Sequence, residues 1–313
     1  MSSISSSSIA VFAGLASWDM IALLPGFPEP DGRLVADSII EAGGGPAATA
    51  AVACARLGVP AAFIGPVGDD LRGERILDAL RREQVDVSGA VIVPSAASAA
   101  ALVLADRTRA TRALCPTLPP DWALRPGSRQ AAQIAGAAIL HVDHVGYGKV
   151  RALYERLGQA LPPLSIDAGN PIVGLDYRNA TLFVPTLARL AAMFGPDTPA
   201  GLLCQASGAD WVVATAGAEG AFVQARGQER IQHIPPFTAA PCLSTLGAGD
   251  VFHGALVAAW IRGLPPAEAT AYASIAAGLS CQGIDGRSAI PNHATVMGAL
   301  PAQLSALREL AKV

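Results

Sequence analysis

Four short apolar runs recur after residue 137, AAILHVD, LSIDAGN, TLFVPT and WVVATAG, with helix-compatible stretches between them. Runs of this length with no polar face fit strands buried on both sides, and each crossover between parallel neighbours must be right-handed, so few architectures satisfy the pattern. The first part of the chain carries the same signal. Residues 9–15 read as a first strand with Asp19 just beyond its C-terminal end, and AAFIGPVG reads as a second. An alanine-rich helix over 46–57, begun by Pro46 and stopped by Gly58, and an amphipathic helix over 71–83 lie on either side of that second strand. The expected fold is α/β, a doubly wound, mostly parallel sheet flanked by helices.

Two segments break the alternation. Residues 26–41 mix Pro, Gly, Asp and Arg33 with alternating apolar positions, and residues 90–114 switch to a period of two with Asp106-Arg107 at a turn. Both read as strands that leave the main sheet, forming a small β lid from about 16–42 and 90–116. Nothing between them resembles a linker, and 51% hydrophobic against 15% charged residues supports one large core, so the 313 residues are expected to be a single domain.

Charge and cysteine usage exclude several functions. A net charge of -3 with scattered arginines provides no basic field for nucleic acid. The five cysteines (Cys54, Cys115, Cys204, Cys242, Cys281) are odd in number, far apart and without a C-x-x-C pair, which points to neither disulfides nor zinc and fits a reducing cytoplasm. The first ten residues lack a basic region and a long apolar stretch, so they read as a frayed tail. The uncharged stretch 88–105 contains Pro94 and reads as strands, not as a membrane span.

The chemistry concentrates in PCLSTLGAGDVFHGAL, where Gly247, Ala248 and Gly249 precede Asp250 and an apolar helical run. A glycine turn at a helix N-terminus leaves several N–H groups unpaired and carries partial positive charge, which suits a phosphoryl group in transfer. A carboxylate beside those amides can accept the proton of an attacking hydroxyl. The same residues also suit an ordinary helix start. There is no G-x-x-x-x-G-K-[ST], and the chain has only two lysines, Lys149 and Lys312, so a lysine-clamped P-loop is absent. GGGPAA at 43–48 lacks the ribose-binding acid of a dinucleotide fold; it is either a tight turn into a helix or a close backbone approach to a polar ligand. His141, Asp143 and His144 alternate about a strand, so they read as a strand end near substrate more readily than as a metal cluster. Met193, Trp211 and Trp260 read as core.

GAGDVFHGAL resembles the C-terminal signature of the PfkB, or ribokinase-like, carbohydrate kinases, and GGGPAATAAVACARLG resembles the N-terminal glycine-pair signature of the same family. The order and spacing of the two motifs extend the resemblance over almost the whole chain. Within the family, the wording of both motifs and of GRSAIPN is most similar to sulfofructose kinase and its relatives. The resemblance implies an ATP-dependent kinase for a sugar, sugar acid or sulfosugar-like substrate, with Asp250 as base and Gly247, Ala248 and Gly249 as the anion hole. It further implies that Asp19, Gly44 and Gly45 hold sugar hydroxyls, that Thr215, Gly217 and Gly220 run along ATP, and that Arg33 reaches an anionic substrate group. A homodimer joined through the lid is expected.

Departures qualify that reading. Ser244 replaces the acid that opens the C-terminal signature, which counts against potassium activation. Phe183-Val184-Pro185-Thr186 replaces the usual Asn-x-x-Glu, so Mg2+ is expected to be bound mainly through ATP and water, helped by Asp167, with no dedicated protein metal site. Ala48 stands where the glycine-pair helix often has asparagine, and Leu114 and His144 fall at sulfonate-pocket positions. The alternatives are a nucleoside kinase and, in another class, a nucleotide-binding regulator without turnover.

Overall fold

Strand β1 (Ala10–Ala13) lies parallel to β4 (Ala61–Ile64) on one side and to β9 (Ile139–Val142) on the other in the computed structural model, which describes residues 9–109, 111–195 and 208–310. The sheet continues from β9 through β10 (Leu164–Ala168), β11 (Leu182–Pro185) and β12 (Trp211–Thr215), all parallel. It ends in antiparallel β13 (Ala221–Ala225) and β14 (Gln232–Ile234), giving eight strands in the order β14-β13-β12-β11-β10-β9-β1-β4.

Alternation within β1 sends Ala10 and Phe12 into one buried layer and Val11 and Ala13 into the other. The first layer contains α1 (Pro46–Arg56), α6 (Ala248–Ile261), α7 (Pro266–Ser280) and α8 (His293–Leu310). The second contains α3 (Arg129–Ala135), α4 (Tyr147–Leu157) and α5 (Leu187–Phe194). Alanine dominates because α1 and α6 touch almost backbone to backbone: a Cβ on Gly254 would run into the Ala50 carbonyl. Helix α2 (Leu71–Arg82) is amphipathic and N-capped by Asp70, whose carboxylate accepts from Gly73 N at 2.9 Å.

A separate four-stranded sheet forms from β2 (Ser17–Leu24), β3 (Ser38–Gly44), β7 (Ala101–Asp106) and β8 (Thr111–Pro116), in the order β3-β2-β7-β8. The expected lid segment 90–116 is too long at its start. Residues 91–93 form β6 (Val91–Val93), which pairs with β5 (Pro66–Gly68) in a sheet of its own. AAFIGPVG is correspondingly two strands, because Gly65 packs against the Gly14 carbonyl where no Cβ fits. Among the described residues no helix is long and apolar enough to cross a membrane. Cys54, Cys115, Cys242 and Cys281 are free thiols, and Cys204 lies outside the described residues.

Candidate active site

From β1 the chain goes to β4 on one side and returns to β9 on the other, so the carboxyl ends of β1 and β9 diverge at a topological switch point. Asp143 closes this crevice. Its buried carboxylate accepts from Leu15 N (2.7 Å), Ala47 N (3.2 Å), Val145 N (2.8 Å) and Gly146 N (2.9 Å). One side chain therefore ties the end of β1, the start of α1 and the turn into α4, and Gly14 leaves the space its carboxylate occupies. That bonding makes Asp143 an organiser of loops.

Asp19 is buried on β2, where its Oδ1 accepts from Ala101 N at 3.1 Å. Burial pushes its carboxyl up, with Ser17, Ala101 and the Arg287 guanidinium acting in the opposite direction. Gly44 is a glycine because a Cβ there would collide with the Asp19 carboxylate. Gly45, at φ 89°, turns the chain into α1 through a conformation that other residues avoid. Arg287 reaches the same loop from the C-terminal region, donating from Nη2 to the Gly44 carbonyl (2.8 Å) and from Nε to Thr49 Oγ1 (3.2 Å). Its guanidinium is buried, and burial lowers its pKa to about 10 against the attraction of Asp19 and Asp250.

Arg33 is not part of this cluster. It sits in the exposed connection between β2 and β3 and makes no hydrogen bond or ion pair among the described residues. The buried cation near Asp19 is Arg287, which the sequence signalled only through the GRSAIPN motif.

Helix α6 begins at Ala248, behind Gly247 in the left-handed conformation at φ 72°. A Cβ on Gly247 would stand 2.6 Å from Gly286 Cα, whereas one on Gly249 would meet nothing within 4 Å. No side chain caps this terminus, and the amides of Gly249 and Asp250 have no partner among the described residues. The residues thus present the open amide cradle that a phosphate group requires. Asp250 occupies the first turn, half-buried. Burial pushes its carboxyl up to about 7, Asp167 and Asp143 add to the effect, and His253 and Arg287 oppose it.

One turn along, His253 Nε2 lies 3.2 Å from Asp167 Oδ1. Burial disfavours the imidazolium, but Asp167 and Asp250 outweigh it and the His253 pKa rises. Burial likewise opposes the Asp167 carboxylate, and His253 with Gly169 N holds it far below the usual range. His141 completes the group, its Nδ1 2.9 Å from Ser165 Oγ, and burial followed by the His253 charge lowers its pKa to about 3. His141, Asp167 and His253 each bring one donor atom within 4.8 Å of the others, a set that could hold a transition cation or, with His253 protonated, a neutral ion pair. This differs from the sequence grouping of His141 with Asp143 and His144, since the partners come from other strands and from α6.

Thr215 ends β12 beside Thr186, to which it forms an isolated parallel bridge. Gly217 opens a 3-10 turn (Gly217–Glu219), and Gly220, at φ 90°, packs where a Cβ would strike the Ile234 carbonyl. The Thr186 hydroxyl, in place of an acid, caps α5 by accepting from Arg189 N at 3.1 Å. Asp167 Oδ1 is shared between His253 Nε2 and Gly169 N. Ser244 Oγ accepts from Leu246 N at 3.1 Å, and Arg112 Nη1 of the four-stranded sheet donates to Thr245 Oγ1 at 2.6 Å. A separate cavity of about 480 Å³, lined by Trp122, His144, Lys149, Arg156 and Ile172, lies along α4 and includes neither Asp19 nor Asp250.

Comparison with known proteins agrees with this fold. Residues 8–293 match the family described as pfkB family carbohydrate kinase. The ATP-dependent ribose-1-phosphate kinase of Halopiger xanaduensis is 27% identical over 285 residues, covering 88% of this chain and 93% of that protein. The ribokinase of Haemophilus influenzae is 26% identical over 310 residues, covering 90% and 94%. The fold is shared with Arabidopsis thaliana ribokinase complexed with ribose and ATP, at a TM-score of 0.77 and 20% identity over 94% of this chain and 98% of that one. With the family match spanning both glycine signatures and the cleft between them, this chain belongs to the pfkB family of carbohydrate kinases.

Proposed function

We propose that the protein transfers the γ-phosphoryl group of ATP to a hydroxyl of a small carbohydrate, with Asp250 as general base. The observation that carries this reading is the pairing of the Asp250 carboxyl, pushed up to about 7 by burial, with the unpartnered amides of Gly249 and Asp250 on the same helix terminus. A base poised near the working pH and a donor cradle for developing charge are the two parts that phosphoryl transfer asks of a protein. Asp19 and the backbone at Gly44 and Gly45 hold sugar hydroxyls. Asp250 takes the proton from the attacking hydroxyl, and the amides steady the phosphoryl oxygens as charge spreads over them. Mg-ATP supplies the phosphoryl group and its leaving group, with Thr215, Gly217 and Gly220 along the nucleotide.

Retention of both Asp250 and the open cradle favours an enzyme over a regulator without turnover. The inward side of the four-stranded sheet presents Arg112 and Leu114 and no aromatic ring in β8, which favours a sugar over a nucleoside base. We further propose that this sheet acts as a lid and joins a second copy of the chain. An ADP-release assay over ketoses, aldoses, sugar acids, sugar phosphates and nucleosides tests the reading. Turnover on a carbohydrate, lost in Asp250→Asn, is the expected result; turnover only on nucleosides, or none, overturns it.

A further inference from the structure

Beyond the packing of α1 on α6, the loop at Gly43–Gly45 and the turn at Gly247 are bridged by the dipeptide Gly286-Arg287. Gly286 packs its Cα against Gly247, at the anion cradle. Arg287, the next residue, grips the sugar loop at the Gly44 carbonyl and at Thr49, and its Nη1 lies over Gly43 where no Cβ would fit. The clamp is itself anchored. Arg287 N donates to Asp285 Oδ1 at 2.9 Å, and the Arg287 carbonyl accepts from Arg56 Nη1 at 2.6 Å. Arg56 in turn forms a two-pronged pair with Glu83, at 2.7 and 2.6 Å.

Arg287 is 7% exposed and has no carboxylate within 4.0 Å among the described residues. A buried cation without a carboxylate in contact is costly, so charges farther off must help to stabilise it. Asp19 and Asp250 are the strongest of those surroundings, with Glu83 and Asp285 behind them.

We propose that Arg287 is a positioning residue for the transfer reaction: it sets the distance between the loop that holds the sugar and the cradle that holds the phosphoryl group, and its buried charge attracts the Asp19 and Asp250 carboxylates across the cleft. This rests on the kinase reading above. The role divides into two separable parts, because the hydrogen bonds to Gly44 and Thr49 need the planar fork, whereas the charge needs only a cation. Around Asp250 the charged groups are Asp167 from β10, Asp143 after β9, His253 on α6 and Arg287 itself.

The test uses whichever sugar wild-type enzyme phosphorylates in a panel containing D-ribose, D-fructose and ribose 1-phosphate. Arg287→Met is expected to raise the sugar KM and lower kcat, each on the order of 10-fold or more, since hydrogen bonds to a charged group are lost. The KM for ATP should stay within about twofold, and the acid limb of kcat/KM should move to higher pH. Arg287→Lys should return the limb toward its wild-type position without restoring kcat. Thr49→Val, nearly isosteric and removing one anchor, should raise the sugar KM and leave the limb in place. Wild-type values in Arg287→Met, an unmoved limb in that variant, or an unchanged sugar KM in Thr49→Val would each overturn the proposal. If Arg287→Met does not fold, Arg287→Lys and Thr49→Val decide. Failure of the kinase reading looks different: wild-type enzyme would turn over no carbohydrate at all.

Discussion

His253 Nε2 stands 3.2 Å from Asp167 Oδ1, one turn of helix from Asp250. This pair places a positive charge behind the proposed base, partly cancelling the rise that burial, Asp167 and Asp143 impose on it. Since Asp250 must be ionised to accept a proton, kcat/KM should fall as the pH drops through about 7. His253→Gln removes the cation, so Asp250 should hold its proton more tightly and the acid limb should shift to higher pH. A pH profile of the two proteins on one substrate checks this; a limb that stays in place or moves toward acid contradicts it.

Asp250→Asn should reduce kcat by roughly 10²–10⁴ and leave ATP binding intact, because only the proton acceptor is lost. It also has a stability signature. The folded carboxyl binds its proton more tightly than the same group in the unfolded chain, so this group's contribution is present at low pH and lost as the pH rises through about 7. The asparagine variant escapes that loss. Its advantage over wild type should grow between about pH 5 and about pH 8, by roughly 1–3 kcal/mol once solvent screening of a half-buried group is allowed for. Denaturant midpoints at the two pH values measure it.

Gly247 and Gly249 should respond differently to a side chain. At Gly247 a Cβ meets both a left-handed backbone and Gly286, so Gly247→Ala should cost about 1–3 kcal/mol of stability. At Gly249 the space is open, so Gly249→Val should fold nearly as well as wild type and instead weaken ATP binding by crowding the cradle. Thermal melts and nucleotide titration of the two variants separate the effects. Equal ATP affinity in Gly249→Val and wild type would remove phosphate from that cradle.

The outward side of the four-stranded sheet carries Met20 (45% exposed), Ile39 (63%) and Leu102 (44%), with Met20 opposite Leu102 in register. Apolar side chains collected on one face of a small sheet with two open edges mark an interaction surface. The protein should be a dimer at micromolar concentration, and Leu102→Lys should make it a monomer with unchanged secondary structure. Light scattering decides, and a monomeric wild type rejects the lid-mediated dimer.

Much of the architecture was written locally. Six of the eight strands of the large sheet announce themselves by short apolar runs, and α1 and α2 by Pro46 and by apolar spacing, because these preferences act over a few residues, whereas the antiparallel β13 and β14 were not read from the sequence. The two glycine signatures were legible for the same reason: an open helix terminus needs only the short stretch Gly247-Ala248-Gly249 ahead of an apolar helical run. Other features depend on which segments meet. Gly65 breaks its strand because the Gly14 carbonyl arrives there, and Arg33, expected at an anionic substrate group from the family resemblance, is left in solvent while Arg287 is buried beside Asp19. His141, Asp167 and His253 sit on three elements and share one electrostatic site. Their ionisation, and that of Asp250, is set by desolvation and by charges brought close through packing, which no local stretch of chain can specify.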